Sequence, residues 1–195
     1  DSSVDATFDG DGNYSSGSIL KYCIIEYGKG VTGSDATPFL YYSTLRYNNY
    51  RVVYATGSSS GPLKVKYCEL HNNNDTNLIL IFVSESISSD ISNNNIYNNT
   101  GSNQYMIHSD NGIMKNNTIR NNTVSGSGNH LLARPTNDFS GNLVTGNSGN
   151  IIKESSDIYS NIFYNNSNGY IINMDRNQEK HIYNNIIVGN NNGIK

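Results

Sequence analysis

One nine-residue pattern limits what this chain can fold into more than anything else in it: apolar, two free positions, Asn, one free, apolar, two free, Asn. It is plainest in Ile91–Asn99 (ISNNNIYNN), Ile158–Asn166 (IYSNIFYNN) and Ile182–Asn190 (IYNNIIVGN). With the first Asn as reference, the same position is filled by Cys23, Ser43, Cys68, Asn94, Asn117, Asn142, Asn161 and Asn185, spaced by 20, 25, 26, 23, 25, 19 and 24 residues. Two residues later every copy is apolar: Ile25, Leu45, Leu70, Ile96, Ile119, Val144, Phe163 and Ile187. Three residues earlier every copy is apolar again: Leu20, Leu40, Val65, Ile91, Met114, Phe139, Ile158 and Ile182. Five residues after the reference stand Gly28, Asn48, Asn73, Asn99, Asn122, Asn147, Asn166 and Asn190. A fixed internal period of this length is the mark of a repeat architecture, in which each copy buries its apolar face against the next.

The apolar residues come in short bursts with period-two alternation, which suits strands with one buried face. A further burst follows the outer Asn in most copies, at Val52, Leu78, Met106, Leu131, Ile151 and Ile171. Asn and Gly are poor helix residues, so two or three short strands per copy predict one winding of a β-solenoid. The Asn columns then have a physical purpose. Bends leave inward-facing N–H and C=O groups without sheet partners, and each such buried group costs about 1–3 kcal/mol if unpaired. An Asn amide carries donors and an acceptor, so it can satisfy the bend and bond to the Asn of the windings on either side. Asn also tolerates the left-handed backbone that sharp bends require. The expected architecture is all-β, a parallel solenoid of about eight coils with inward Asn ladders. Residues 1–17 are expected to form an N-terminal cap or linker, and residues 18–195 the solenoid.

Composition narrows the function classes. The chain has 34 Asn and 15 Tyr, with only 15% charged residues, which does not suit a disordered chain. A net charge of −3 with scattered Lys and Arg gives no basic surface for nucleic acid. The longest apolar run, Leu78–Val83, is far short of the roughly 20 residues of a membrane span.

The segments DISNNNIYNN, DFSGNLVTGN, DIYSNIFYNN and HIYNNIIVGN resemble the right-handed parallel β-helix repeat of the pectate lyase superfamily, over roughly Ser18 to Lys195. That superfamily includes pectate lyases, polygalacturonases, phage tailspike enzymes and noncatalytic surface and adhesion proteins. Its enzymes use clustered Asp residues with a His and a basic residue, or Asp ligands for Ca²⁺ with an Arg or Lys base. No such cluster can be placed here residue by residue; Asp138, Asp157 and His181 come nearest.

Stacking turns columns into candidate sites. Four residues before the reference lie Asp90, Ile113, Asp138, Asp157 and His181. Asp138 and Asp157, with His181 beside them, are the residues a lyase or glycoside hydrolase would use, with calcium as the one conceivable cofactor. The competing and favoured reading is that these Asp residues cap the turns entering the strands. Immediately before the reference stand Tyr22, Tyr42 and Tyr67, and four after it Tyr27 and Tyr47. Exposed, they would stack on sugar rings; covered, they would seal the N-terminal end, and the second reading is favoured. Glu26 with Arg46 and Arg134 with Glu154 read as structural ion pairs. The DGDGN segment at Asp9–Asn13 opens like a calcium loop but has Tyr14 and Leu20 where such a loop needs Gly and an acid, so it reads as linker or cap. Cys23 and Cys68 share a column two windings apart, too far for a disulfide, and are expected as buried free thiols. Six N-x-S/T triplets, at Asn13, Asn74, Asn98, Asn116, Asn121 and Asn165, carry no assigned role. Irregular Thr placement argues against ice binding.

The expected function is a noncatalytic extracellular or cell-surface module that binds polysaccharide or a neighbouring surface protein, with Tyr22, Tyr42, Tyr67, Asp138 and Asp157 as binding residues. The alternative is a small polysaccharide lyase or glycoside hydrolase acting through Asp138 and Asp157. The last residues, NNGIK, stop where a further strand should begin, so a longer chain or end-to-end self-association is also expected.

Overall fold

The computed structural model describes residues 4–133, 138–153, 157–174 and 181–195. Among them all regular structure is strand, and the solenoid strands pair in parallel. Each winding presents three faces. The second face is the most regular: eight strands, from Ile24–Glu26 through Thr44–Arg46 and Glu69–His71 to Ile162–Tyr164 and Ile186–Val188, stack in sequence order. Their register is the one the repeat predicts, with Ile25, Leu45, Leu70, Ile96, Ile119, Val144, Phe163 and Ile187 side by side. The first face aligns the other apolar column in the same way, from Leu20 on Leu40 to Ile158 on Ile182. The third face holds the second bursts, beginning with Val31–Ser34 and Arg51–Thr56 and ending with Ile172–Asn173. In two windings the third and first faces run together as single long strands, Ile79–Ser92 and Tyr105–Lys115.

The core is the inside of this coil. From Leu40 to Ile158 and from Leu45 to Phe163, every residue of the two apolar columns is at most 1% exposed. Each such burial is worth roughly 1.5–3 kcal/mol. At the two ends Leu20, Ile25, Ile182 and Ile187 are only partly covered, because a neighbouring winding packs on one side alone.

Both Asn ladders point inward. Asn48, Asn73, Asn99, Asn122, Asn147 and Asn166 each donate through Nδ2 to the Oδ1 of the next Asn in the column, at 2.9–3.2 Å, the last reaching Asn190. Each of those Oδ1 atoms also accepts the backbone N–H of the preceding winding's ladder residue, and each Nδ2 also reaches a carbonyl of that winding, as Asn122 does with Ile96. The other ladder runs the same way from Asn94 to Asn185.

One expectation is corrected in detail. The left-handed residue at each bend is the one before the ladder position, with φ from +47° to +65° at Tyr22, Tyr42, Tyr67, Asn93, Asn116, Gly141, Ser160 and Asn184. The second bend repeats this at Tyr27, Tyr47, Asn72, Asn98, Asn121, Gly146, Asn165 and Gly189. Two jobs are thus divided between adjacent residues: one turns the chain outward of the core, and the next reaches in. Four of the N-x-S/T asparagines, Asn98, Asn116, Asn121 and Asn165, are such exposed turning residues.

Residues 4–16 pack against the side of the solenoid. Thr7–Phe8 and Tyr14–Ser16 form an antiparallel hairpin. The Asp9 carboxylate closes its loop by accepting the N–H groups of Asp11 and Asn13, so DGDGN is a self-capped turn. Asp5 fastens the segment down, its carboxylate accepting bonds from Thr37 N–H, Ser59 Oγ and Gly61 N–H.

Candidate functional site

The turning position carries tyrosine in the first three windings at the first bend and in the first two at the second, where later windings carry Asn, Gly or Ser. A left-handed residue with a Cβ costs roughly 1–2 kcal/mol, and Asn and Gly bear it best. Tyrosine has no such advantage, so its backbone placement calls for a reason in the side chain. Those side chains form two stacks. Tyr22 and Tyr42 lie 5.6 Å apart and Tyr42 and Tyr67 4.9 Å apart, with rings within 22° of parallel. Tyr27 and Tyr47 form the second row at 5.4 Å and 14°. They do not form a covered seal: Tyr22 is 70% exposed, and Tyr42 and Tyr67 are 45% and 43% exposed. The second row ends against His71, which in turn stacks on Tyr97 at 4.7 Å.

Tyr67, the last of the first row, lines a groove of about 450 Å³ between the hairpin loop and the first face, together with Asn13, Tyr14, Lys21, Phe39 and Tyr41. Tyr41 packs edge-on against both Tyr42 and Tyr67, so three rings from two adjacent windings meet at its edge. The Lys21 ammonium lies 4.9 Å from the Tyr22 ring and 5.4 Å from the Tyr41 ring. Lys66, on the groove's other side, is neutralised by Asp90 at 2.6 Å. The groove and the stack beside it therefore offer ring edges, phenol hydroxyls and an ammonium, groups that pack against and hydrogen-bond sugars.

The acidic column is assembled as expected but differently occupied. Asp90, Ile113 and Asp138 are register neighbours on the first face, as are Asp157 and His181. Asp138 bonds to Lys115 Nζ at 2.6 Å, and accepts from Ser140 Oγ at 2.7 Å and Tyr159 OH at 3.0 Å. Partial burial pushes its pKa up, but the bonds from Lys115, Ser140 and Tyr159 outweigh that and leave it below the ordinary Asp value. A carboxylate held ionised in this way is a poor general acid. Asp90 repeats the arrangement with Lys66 and Ser92. The partner lysines sit two residues along and one winding back, so scanning the Asp column alone misses them. Asp157 bonds to His181 Nδ1 at 2.8 Å on the open surface. Among the described residues no three His, Cys, Asp or Glu side chains converge as metal ligands.

Glu26 and Arg46 form the expected surface pair at 2.7 Å, whereas Arg134 and Glu154 lie outside the described residues. Both cysteines are free. Cys68 is buried, and burial pushes its thiol up to about 11. Cys23 is only half-buried, contrary to expectation, since no earlier winding covers it.

A second aromatic row escaped the sequence analysis. On the third face Tyr54, Phe82 and His108 are register neighbours, each next to an inward apolar residue. Arg51 lies over Tyr54, and Tyr105 meets His108. The alternation in RVVYAT and LILIFV already marked Tyr54 and Phe82 as outward, but the unequal spacing of the second bursts hid their register.

Parallel strands, three faces and inward ladders fit one family, and residues 51–195 match the family model described as the right handed beta helix region. The chain belongs to the right-handed β-helix family. No curated protein and no solved structure matches it. The β-helix is thus the shared feature, while the tyrosine rows and the groove are features of this chain to be read on their own chemistry.

Proposed function

We propose that this β-helix is a noncatalytic module that binds polysaccharide outside the cell or at its surface, using Tyr22, Tyr42 and Tyr67 and the groove beside them. The observation that carries the reading is the exposed tyrosine stack held on left-handed backbone, where other windings place residues that fit that backbone better. Rings repeated 4.9–5.6 Å apart along the axis give a polymer an extended contact, and packing on their exposed edges buries apolar sugar surface while the hydroxyls stay wet. The engagement of Asp138 by Lys115 speaks for binding over the lyase or hydrolase alternative through Asp138 and Asp157.

The test is calorimetric titration with acidic and neutral cell-wall polysaccharides. Replacing Tyr42 and Tyr67 by Asn, the residue later windings use at the same corner, should preserve the fold and weaken binding at least tenfold. If the wild-type protein binds none of the polymers, the reading fails. Release of unsaturated or reducing-end products, abolished by Asp138→Asn, would replace it with the catalytic alternative.

A further inference from the structure

The outer surface of the second face changes character along the coil. Its inward column is apolar throughout, but the residues on either side of that column point out. In the second to fifth windings these are mostly polar or charged: Thr44, Glu69, Asn95 and Thr118 in one outward column, with Arg46 and Arg120 in the other. From the sixth winding, whose ladder residue is Asn142, they turn apolar, with Leu143, Ile162 and Ile186 in the first column and Tyr164 and Val188 in the second. These five side chains are register neighbours, and each is 38% to 54% exposed. They point sideways from the coil axis, so a winding stacked on either end would not cover them. At those exposures they leave roughly 400 Å² of contiguous apolar surface, within the range of the largest patches on soluble proteins, which are often functional.

Three properties define what fits there. The patch is the outside of a parallel sheet, and its corners are low: Gly141, Ser160 and Asn184 stand at one bend and Gly146, Asn165 and Gly189 at the other, where the first windings carry tyrosine. A broad, flat partner can therefore reach it. It holds no charged side chain, so an identical face can cover it without desolvating a charge. It is also self-matching. A twofold axis along the strand Ile162–Tyr164 lays Leu143 of one copy over Ile186 of the other and sets Ile162 and Tyr164 against their own counterparts, with the two sheets about 10 Å apart as in other face-to-face packings. Two coils aligned in the same sense would also bring Arg46, Glu69 and Arg120 into the contact, at a desolvation cost that the antiparallel order avoids. Two copies so placed would bury about 800 Å² of apolar side chain and, with the corners, the roughly 1,000 Å² that a specific interface needs.

We propose that the second face of the sixth to eighth windings is a self-association surface, on which two copies of this β-helix pack face to face with their axes antiparallel. The contact is at the small end of specific interfaces, so the dimer is weak and forms as concentration rises. The surface lies at the opposite end of the coil from the tyrosine groove and does not depend on it.

The experiment is sedimentation velocity of the whole chain across a wide range of concentration. The wild-type protein should pass from monomer to dimer, and added sodium chloride should leave the dimer intact, since apolar contact is not screened. Ile162→Thr combined with Tyr164→Thr installs the residue type that Thr118 and Thr145 place in the same two columns. This variant should keep its Tm and far-UV circular dichroism and raise the dimer dissociation constant at least tenfold. In a Cys23→Ser background, Ile162→Cys should be captured as a dimer by a short bismaleimide and Thr44→Cys should not, a comparison that does not rest on the double variant's stability. A wild-type protein that is monomeric at every concentration overturns the proposal, and flotation of that monomer with phosphatidylcholine vesicles would give the face to lipid instead. A dimer that salt dissolves, or one equally tight in the double variant, overturns it too, because the contact then lies elsewhere. Capture of Thr44→Cys as readily as Ile162→Cys overturns the antiparallel order.

Discussion

Replacing Asn122 with Ala probes the interior ladder at its midpoint. Oδ1 of Asn122 accepts the Asn99 N–H at 3.1 Å and Asn99 Nδ2 at 2.9 Å; its own Nδ2 donates to the Ile96 carbonyl and Asn147 Oδ1, both at 3.0 Å. Alanine removes all four bonds, but two of the partners keep another. Asn99 Nδ2 still reaches the Leu70 carbonyl, and Asn147 Oδ1 still accepts the Asn122 N–H. The Asn99 N–H and the Ile96 carbonyl lose this partner inside the coil. At about 1–3 kcal/mol per buried unpaired group, the loss should be about 2–6 kcal/mol, a large part of the roughly 5–15 kcal/mol that holds a domain folded. Water entering the vacated volume moves the result toward the lower end. The control is one residue away: Asn121 is exposed with φ +54°, so Asn121→Ala should cost only about 1 kcal/mol of left-handed strain. Urea unfolding followed by circular dichroism measures both. A loss at Asn122 below about 0.5 kcal/mol, the range of ordinary surface substitutions, would refute the reasoning.

Other expectations follow from single groups. Asp5 and Asp138 have folded-state pKa values below the ordinary one, so the stability they contribute is present above pH about 4 and is lost as pH falls through their folded values. Urea midpoints should therefore drop between pH 5 and pH 2.5, and less steeply in Asp5→Asn; a midpoint that rises toward acid would contradict this. With its thiol at about 11 and its side chain buried, Cys68 should react with a disulfide reagent only on unfolding, whereas half-buried Cys23 should react in the native protein. Mass spectrometry after limited labelling reads the order directly. At Gly141, φ is +65° and an added Cβ would come within 2.4 Å of Asn116 Oδ1, so Gly141→Ala should destabilise by about 1–2 kcal/mol, read as a lowered urea midpoint.

The windings were legible in the sequence because ladder chemistry and core packing impose fixed offsets. Ile96 must be two residues from Asn94, and Asn99 five, whatever the length of the loop that follows. That fixed frame placed Asp157 beside His181 and Tyr42 beside Tyr67 before any coordinates. What lay beyond it depended on side chains crossing between columns. Lys115 reaches Asp138 diagonally, so the column read in isolation looked more acidic than it is. The division of labour at the bends was hidden too, since Asn93 and Asn94 look alike in a row of letters while one turns the backbone and the other fills the interior. The third-face row of Tyr54, Phe82 and His108 needed the register of strands whose loops differ in length, which no constant spacing supplies.

Amide hydrogen exchange tests the central claim most directly. The N–H groups of Asn73, Asn99, Asn122 and Asn147 each donate to an Asn side chain of the next winding, inside the coil. They should exchange only as slowly as global unfolding allows, and in Asn122→Ala the Asn99 amide alone among them should become fast. Fast exchange at all four in the native protein, or an Asn99 amide indifferent to the loss of Asn122, would show that these side chains face water and that the stacked ladder does not exist.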